Sequence, residues 1–162
     1  SPDWDSSTHV WDAANALALS AGGHLATITS AAENSFITGL VGSDAEVFTL
    51  DLWIGGFQPA GSAEPAGGWS WVTGEPFTYS NWQPGIPDNN GFGGVPENHM
   101  DLVRSNFGLN ADGVYWNDVD GEAGLQGYVI EFEASSVPEP TEYAAVAGLT
   151  LMAFGAWRRF RQ

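Results

Sequence analysis

The sequence contains no cysteine and no lysine, and only four basic residues occur among its 162 positions. The absence of cysteine excludes disulfides, thiol catalysis and zinc–thiolate sites, and it fits either a reducing compartment or an exported protein. Three of the four arginines stand in the last five residues, so Arg104 is the only lysine or arginine in residues 1–137. The formal net charge is −16. This balance argues against binding to nucleic acid or to an anionic lipid surface.

The acidity does not mark a disordered chain. Disordered segments combine high net charge with low hydrophobicity, whereas here 43% of residues are hydrophobic, eight are tryptophan and only 15% are charged. The net charge therefore reflects missing bases rather than acidic runs, and we expect a folded domain. The chain starts at Ser1 with neither Met nor an apolar leader segment, and we expect this start to be a processed or truncated end.

Two helices are predicted in the first 40 residues. Apolar residues recur at helical spacing in residues 10–21, and Gly22-Gly23 ends the pattern as a C-terminal glycine does. Ser30 and Glu33 have the spacing of a capping box, which predicts a second helix over about 31–40. We expect this second helix to bury three apolar side chains, namely Phe36, Ile37 and Leu40.

The pattern changes to short strands after residue 51. Strand-like segments are predicted at 52–57, 69–72, 100–103, 114–116 and 127–132, in addition to 25–28 between the helices. Residues 84–98 hold clusters of proline, glycine and asparagine without an apolar period, which predicts a long loop of a kind that is usually functional. Two helices followed by antiparallel strands indicate an α+β fold.

Residues 135–162 differ from the rest of the chain. A linker over 135–142 contains Pro138-Glu139-Pro140, an uncharged stretch follows over 143–157, and the chain ends with an arginine cluster. A helix over 144–157 would span about 21 Å, short of the ~30 Å hydrocarbon core, although terminal arginines can snorkel and extend it. The alternative is an amphipathic helix that docks on the domain, against which the lack of a polar face argues.

Motifs spread over residues 8–134 give the chain a family resemblance. In order they are Trp11-x-x-Ala14, Gly22-Gly23-His24-Leu25-Ala26, Leu52-Trp53-Ile54-Gly55-Gly56, Trp69-Ser70-Trp71, Tyr79-Ser80-Asn81-Trp82, Ile86-Pro87-Asp88, Glu97-Asn98, Trp116-Asn117-Asp118 and Tyr128-Val129-Ile130-Glu131. Together they resemble a C-type lectin-like domain. The resemblance implies an α+β fold with two helices, two small antiparallel sheets and a long Ca²⁺-binding loop. We assign residues 1–134 to this domain, with its N-terminal strand clipped.

The resemblance also implies a Ca²⁺ site built from four residues, Asp88, Glu97, Asn117 and Asp118. Their chemistry agrees, because Ca²⁺ takes six to eight oxygen ligands and this set contains no softer donor. Coordination positions left open would bind water or paired sugar hydroxyls. For carbohydrate we expect Asp88, Glu97 and Asn117, with Phe92 stacking on a sugar face. The alternative is that these are ordinary turn residues, since Asp and Asn favour turns.

Besides its clipped N-terminal strand, the sequence departs from the family pattern in two respects. Ile86 stands where lectins have Glu or Gln, so one side-chain ligand is missing, while Pro87 matches a proline that is cis in family members with bound ion. The family's disulfides are absent, and their positions hold Ala18 with Ile130 and, approximately, His99 with Gly121.

The tryptophans can be interpreted as a sugar-stacking surface or as a core. Because they lie at family core positions, we expect structural roles for Trp53, Trp71, Trp82 and Trp116, as for Pro87. We predict no catalytic residue, since the three histidines lack paired spacing. Asp88 and Glu97 can be assigned as the acid and base of a glycosidase, but ligands around one cation would not titrate in that way.

The C-terminal segment is similar to the PEP-CTERM sorting signal. Its motif, apolar stretch and terminal bases occur in that family's order, through Pro138, Glu139 and Pro140 and then Arg158, Arg159 and Arg161. The resemblance implies processing by an exosortase-type enzyme in a Gram-negative bacterium, with a transient membrane anchor. Terminal arginines also fit the positive-inside rule, which leaves the domain outside the cytoplasm.

These features predict an exported, non-enzymatic module that binds carbohydrate with Ca²⁺ as its cofactor. We expect it in the cell envelope or extracellular space, with exopolysaccharide rather than nucleic acid as its partner. The alternative is a structural or adhesion module of the same fold, which binds protein and holds Ca²⁺ only for loop stability.

Overall fold

A computed structural model of the protein describes residues 10–42, 51–104 and 113–133. The chain divides into two compact units, Ser1–Phe132 and Glu133–Gln162, and every element below lies in the first. The predicted sorting signal over 135–162 and the predicted processed start at Ser1 lie outside the described residues.

The described elements follow the predicted order of two helices and then strands. The helices are α1 (Trp11–Ser20) and α2 (Ala31–Gly42). The strands are β1 (His24–Leu25), β2 (Leu52–Phe57), β3 (Ser70–Trp71), β4 (His99–Arg104), β5 (Val114–Val119), β6 (Gly127–Tyr128) and β7 (Ile130–Glu131). A 3₁₀ turn, Phe92–Gly94, stands inside the predicted long loop. Within the described ranges no helix is long and apolar enough to cross a membrane.

The strands form two small sheets. β1 pairs with β7 in one, and the other has the antiparallel order β3-β2-β4-β5, to which β6 adds a short parallel pair with β2. The chain crosses between the sheets at Val129, whose N–H donates to the carbonyl of Trp53 at 3.0 Å and whose carbonyl accepts from the N–H of Ala26 at 2.9 Å. The strand predicted over 127–132 is therefore divided in two, while the α+β fold is confirmed.

The five-stranded sheet packs against a hydrophobic core on each face. Alternation along β2 sends Trp53 to one core and Ile54 to the other. The core that contains Ile54 is rich in tryptophan. The rings of Trp71 and Trp82 both lie edge-on to that of Trp116, with centroids 5.4 and 5.8 Å from it. The tryptophans expected to be structural thus lie in or against a core, with Trp82 half-buried at its margin.

The buried stripe of α2 differs from the predicted one. Phe36 and Leu40 are 71% and 59% exposed, so the prediction that they are buried is wrong. The residues that face the core are Asn34, Ile37 and Val41. Asn34 belongs to this helical stripe because its Oδ1 accepts a 3.0 Å hydrogen bond from Nε1 of buried Trp116. A prediction that counts only apolar residues as buried leaves out Asn34, and it therefore selects the wrong face of α2.

The capping box predicted at the start of α2 is present with one addition. Oγ of Ser30 accepts a hydrogen bond from the N–H of Glu33 at 3.2 Å. The Glu33 carboxylate also reaches back to Thr29, accepting from its N–H at 2.7 Å and from its hydroxyl at 2.9 Å. The bonds from Thr29 lower the pKa of Glu33.

Small residues let α1 pack closely. Ala14 and Ala18 are fully buried beside Trp11, whose Nε1 donates to the carbonyl of Ile54 at 2.9 Å. Leu17, which precedes Ala18 in the helix, is exposed. A larger residue at either alanine would separate the helix from the sheet.

Packed side chains occupy the positions of the family's disulfides. Ile130 packs against the core that contains Ala18. At the other pair, the imidazole of His99 lies so close to Gly121 that a Cβ atom there would collide with the ring. The ring also lies against Trp11, with centroids 4.5 Å apart, which limits its freedom to move away.

We expect Gly121→Ala to lower the free energy of unfolding by about 1–3 kcal/mol, as overpacking in a core does. Combining it with His99→Ala should remove most of that loss, because the colliding ring is gone. Urea denaturation of the wild type, both single variants and the double variant measures this coupling.

Gly39→Ala is the matched control for that cycle. Apart from its chain neighbours and the helix's own backbone, no atom of the described residues lies within 4 Å of a Cβ at this position. The free energy of unfolding of this variant should therefore rise by about 0.5–1 kcal/mol. If Gly121→Ala lowers the free energy of unfolding by the same amount in the His99→Ala background, a collision with the His99 ring is not the cause.

Candidate metal centre

Asp118 forms the floor of a small acidic site. It stands near the end of β5 and is buried on the side of the sheet that also buries Trp116. The loop over 84–98 folds onto it, and the N–H groups of Asp88 and Asn89 donate to its carboxylate at 3.0 and 2.8 Å. The buried acid thus anchors the loop through charge-assisted hydrogen bonds.

The same loop then closes on its own side chains. The N–H of Asn90 donates to Asp88 Oδ1 at 3.2 Å and to Glu97 Oε2 at 2.9 Å. The N–H of Glu97 donates in turn to Oδ1 of Asn89 at 2.8 Å. Asn89 has a φ of 49°, a left-handed conformation that Asn tolerates better than most residues. The turn residues seen in the sequence therefore form a hydrogen-bonded loop that holds the acidic side chains in place.

The hydrogen-bonded loop brings three carboxylates together. One oxygen from each of Asp88, Glu97 and Asp118 lies within 4.8 Å of the other two. Asp88 is exposed, Glu97 is half-buried and Asp118 is buried, so the group opens to solvent on one side. Oxygens that bind one Ca²⁺ ion at 2.3–2.6 Å lie no more than about 5 Å apart. The spacing therefore fits a single cation.

Few positive charges balance these carboxylates. Burial, followed by the charge of Asp118, raises the pKa of Glu97. Burial also raises the pKa of Asp118, although the N–H groups of Asn89 and Asp88 oppose that shift. Arg104 is the only lysine or arginine in the described ranges, so the partners that hold the acids are backbone N–H groups. A divalent cation would relieve the repulsion that remains.

The side chain of Asn117, the fourth predicted ligand, points to a different side of the sheet from that of Asp118. It precedes Asp118 in β5, and strand alternation directs adjacent side chains to different sides. Its partner across the sheet is Asp101 of β4, whose Oδ1 accepts a 3.2 Å hydrogen bond from Asn117 Nδ2. Three of the four predicted ligands are thus brought together. Asp101 was not predicted, and the available signal is an acid between Met100 and Leu102 in an apolar strand.

The remaining predicted residues lie on the same loop. The Ile86–Pro87 peptide bond is cis, and Ile86 is half-buried and offers no oxygen. Phe92 lies in the 3₁₀ turn beside Gly93, which has a φ of 76°, and its side chain is fully exposed. An exposed aromatic ring near an acidic group can pack on the apolar face of a bound molecule.

Comparison with known proteins identifies the family. Residues 7–104 match the family model described as Lectin C-type domain. That match spans more than half of the chain, and the chain therefore belongs to the C-type lectin domain family. The relatives of this chain include lectins, a non-enzymatic class of protein.

Individual relatives match over part of their length. The chain is 33% identical over 108 residues to the galactose-specific lectin nattectin of Thalassophryne nattereri, covering 67% of this chain and 58% of nattectin. It is 37% identical over 79 residues to the type-2 ice-structuring protein of Brachyopsis segaliensis, covering 49% and 40% of the two. The chain thus spans about half the length of these curated relatives.

A solved structure supports the fold assignment. The cow C-type carbohydrate-recognition domain of CD23, determined in the presence of an oligosaccharide, aligns with a TM-score of 0.58 at 26% identity. The alignment covers 78% of this chain and 82% of that domain. The predicted C-type lectin-like fold is confirmed.

The raised carboxyl pKa values predict how stability depends on pH. A group whose pKa is higher in the folded state contributes stability below its unfolded pKa and loses that contribution as the pH rises through the folded value. For Glu97 and Asp118 this loss of stability begins near pH 4, where their unfolded pKa values lie. We expect the melting temperature in calcium-free buffer to fall as the pH is raised from this value toward neutrality.

Glu97→Gln tests the origin of that slope. It removes one charge but keeps an oxygen for the N–H of Asn90, so its melting temperature should depend less on pH and exceed that of the wild type at pH 7. Glu64→Gln, which removes an exposed acid from another loop, is the control and should keep the wild-type slope. Equal slopes for the wild type and Glu97→Gln would contradict the assignment.

Proposed function

We propose that this protein is a Ca²⁺-dependent carbohydrate-binding module. The observation that carries the proposal is the convergence of Asp88, Glu97 and Asp118 within 4.8 Å of one another on a solvent-open loop. We propose Asn117 as a fourth oxygen ligand on the family resemblance alone, since its carboxamide bonds to Asp101 in this structure. Membership of the C-type lectin domain family supports the proposal, since such domains typically bind Ca²⁺.

The donor set favours Ca²⁺ over other divalent ions. Carboxylate and amide oxygens are hard donors, whereas structural Zn²⁺ sites use thiolate and imidazole. Mg²⁺ demands a near-ideal octahedron, while Ca²⁺ accepts six to eight ligands in an irregular arrangement. Donors spread over one loop and one strand end suit the irregular case. Four protein ligands leave coordination positions for a further molecule.

Those open positions are the proposed carbohydrate site. Paired hydroxyls of a sugar would bind the ion directly, and Asp88, Glu97 and Asn117 would hydrogen-bond the same hydroxyls. The exposed ring of Phe92 would pack on the apolar face of the sugar. The relative nattectin is named as galactose-specific, which makes galactose the first sugar to test.

Ile86 supports a second candidate function. Its apolar side chain occupies the loop position where the resemblance calls for a ligand. In this second function the module binds protein as a structural or adhesion element, and Ca²⁺ only stabilises the loop. Ile86→Glu separates the two, because a carbohydrate site would gain affinity for sugar and an adhesion module would not.

We also propose that residues 135–162 are a sorting signal of the PEP-CTERM kind. The support is the order of Pro138-Glu139-Pro140, the uncharged stretch and the cluster of Arg158, Arg159 and Arg161. An exosortase-type enzyme would process this segment, which would contact the membrane beforehand. The domain over 1–134 would then act in the cell envelope or outside the cell, near exopolysaccharide.

A glycan array tests the carbohydrate function. We expect the wild type to give a signal in Ca²⁺ that includes galactose-terminated glycans and is abolished by EDTA. Asp118→Asn should lose the signal because a buried ligand charge is gone, whereas Asp120→Asn, a neighbouring acid outside the cluster, should keep it. Phe92→Ala should bind Ca²⁺ as the wild type does and give a weaker signal.

Two outcomes would contradict the proposal. One is a glycan signal that persists in EDTA, since the ion would then have no part in recognition. The other is a protein that binds Ca²⁺ yet gives no signal with or without Ile86→Glu, which would favour the adhesion function.

A further inference from the structure

Asn89 takes part in the acidic site twice, once through its backbone and once through its side chain. Its N–H donates to the carboxylate of Asp118 at 2.8 Å. Its Oδ1 accepts a hydrogen bond from the N–H of Glu97, also at 2.8 Å. One residue therefore joins the buried acid of β5 to the far end of the loop.

Glu97 reaches the group of three carboxylates in a different way from Asp88. The N–H of Asp88 donates to the carboxylate of Asp118 at 3.0 Å, so those two acids are joined directly. Glu97 stands eight positions after Asn89, and three of the seven residues between them are glycine. It also lies outside β4, which begins at His99. Because glycine leaves the backbone free to adopt many conformations, the position of Glu97 depends on hydrogen bonds that cross the loop.

Two hydrogen bonds cross the loop to Glu97. The N–H of Asn90 donates to its Oε2 at 2.9 Å, and any residue except proline can supply this donor. The bond from the N–H of Glu97 to Asn89 instead requires a side chain with an acceptor oxygen at position 89. A substitution there can remove this bond without removing a carboxylate.

The backbone of Asn89 limits which residues can supply that oxygen. Its φ of 49° lies in the left-handed region, which glycine, asparagine and aspartate visit more readily than other residues. Glycine has no side-chain acceptor. Aspartate would add a negative charge to three carboxylates that already lie within 4.8 Å of one another. Asparagine supplies the acceptor without that charge.

We propose that Asn89 is a positioning residue that holds Glu97 in place to bind Ca²⁺. The inference rests on the proposed function, because it assigns a role within the same site. Hydrogen-bonding partners orient the ligands at other metal centres, and their loss typically costs 10–100-fold in metal affinity. Asn89 acts here through the main chain of Glu97, so its role requires no contact with the ion.

Calorimetric Ca²⁺ titration of the full chain tests the proposal. Asn89→Gly removes the acceptor but tolerates the positive φ, and it should weaken the Kd for Ca²⁺ about 10-fold or more. Asn89→Asp keeps an acceptor oxygen and should bind Ca²⁺ at least as tightly as the wild type, since it also adds a negative charge.

Asn81→Gly is the matched control, because it makes the same substitution at a residue outside the acidic site. It removes a carboxamide whose Nδ2 donates to the backbone carbonyl of Val114 at 3.2 Å. This variant should lower the melting temperature and leave the Kd for Ca²⁺ unchanged. An equal weakening of the Kd in Asn81→Gly and Asn89→Gly would overturn the positioning role.

Hydrogen exchange in calcium-free buffer gives a second readout that does not depend on the ion. The N–H of Glu97 should lose protection in Asn89→Gly, which removes its acceptor, and keep protection in Asn89→Asp and Asn81→Gly. Equal exchange of this N–H in the wild type and in Asn89→Gly would overturn the inference. An Asn89→Asp variant that binds Ca²⁺ as weakly as Asn89→Gly would overturn it as well.

The wild-type titration distinguishes failure of this inference from failure of the proposed function. A wild type that binds no Ca²⁺ overturns the proposed function and the positioning role with it. A wild type that binds Ca²⁺, together with an Asn89→Gly variant that binds equally well, overturns the positioning role alone.

Discussion

Backbone hydrogen bonds that hold like charges together are the interaction on which the rest of this site depends. The carboxylate of Asp118, buried at the end of β5, accepts N–H bonds from Asp88 and Asn89. Those bonds fix a loop that carries two further acids to within 4.8 Å of it. The arrangement keeps three negative charges close together with backbone dipoles as their partners, and a divalent cation is the group that would balance them. Loop shape, acid spacing and ion binding are therefore aspects of one electrostatic arrangement.

Much of the fold was predictable from the sequence because its signals are local. Glycines after α1, the capping box before α2 and alternation along β2 each specify an element within a few residues. The exposed face of α2 was not predictable in this way, because Asn34 faces the core only through its bond to Trp116, 82 residues away. The break between β6 and β7 has a similar cause: Val129 bonds to one sheet through Trp53 and to the other through Ala26.

The acidic residues of the candidate site were predictable from the sequence, but the residues that hydrogen-bond to the site were not. Asp88, Glu97 and Asp118 were identified because the motifs around them resemble those of a known family, and chemistry then favoured Ca²⁺. The part of Asn89, whose side chain accepts from the N–H of Glu97, depends on a loop conformation that spacing does not reveal. Asp101 was missed because its contact with Asn117 follows from the register of two strands, and register is a property of the folded sheet.

The central claim is that the three converging carboxylates bind Ca²⁺, and the most direct measurement is the melting temperature of the wild type at neutral pH with and without the ion. A ligand that binds only the folded state at 100 times its Kd adds about 2.7 kcal/mol of stability. The account predicts that saturating Ca²⁺ raises the melting temperature by several degrees and that equimolar Mg²⁺ has a much smaller effect. A melting temperature that Ca²⁺ leaves unchanged would contradict the account.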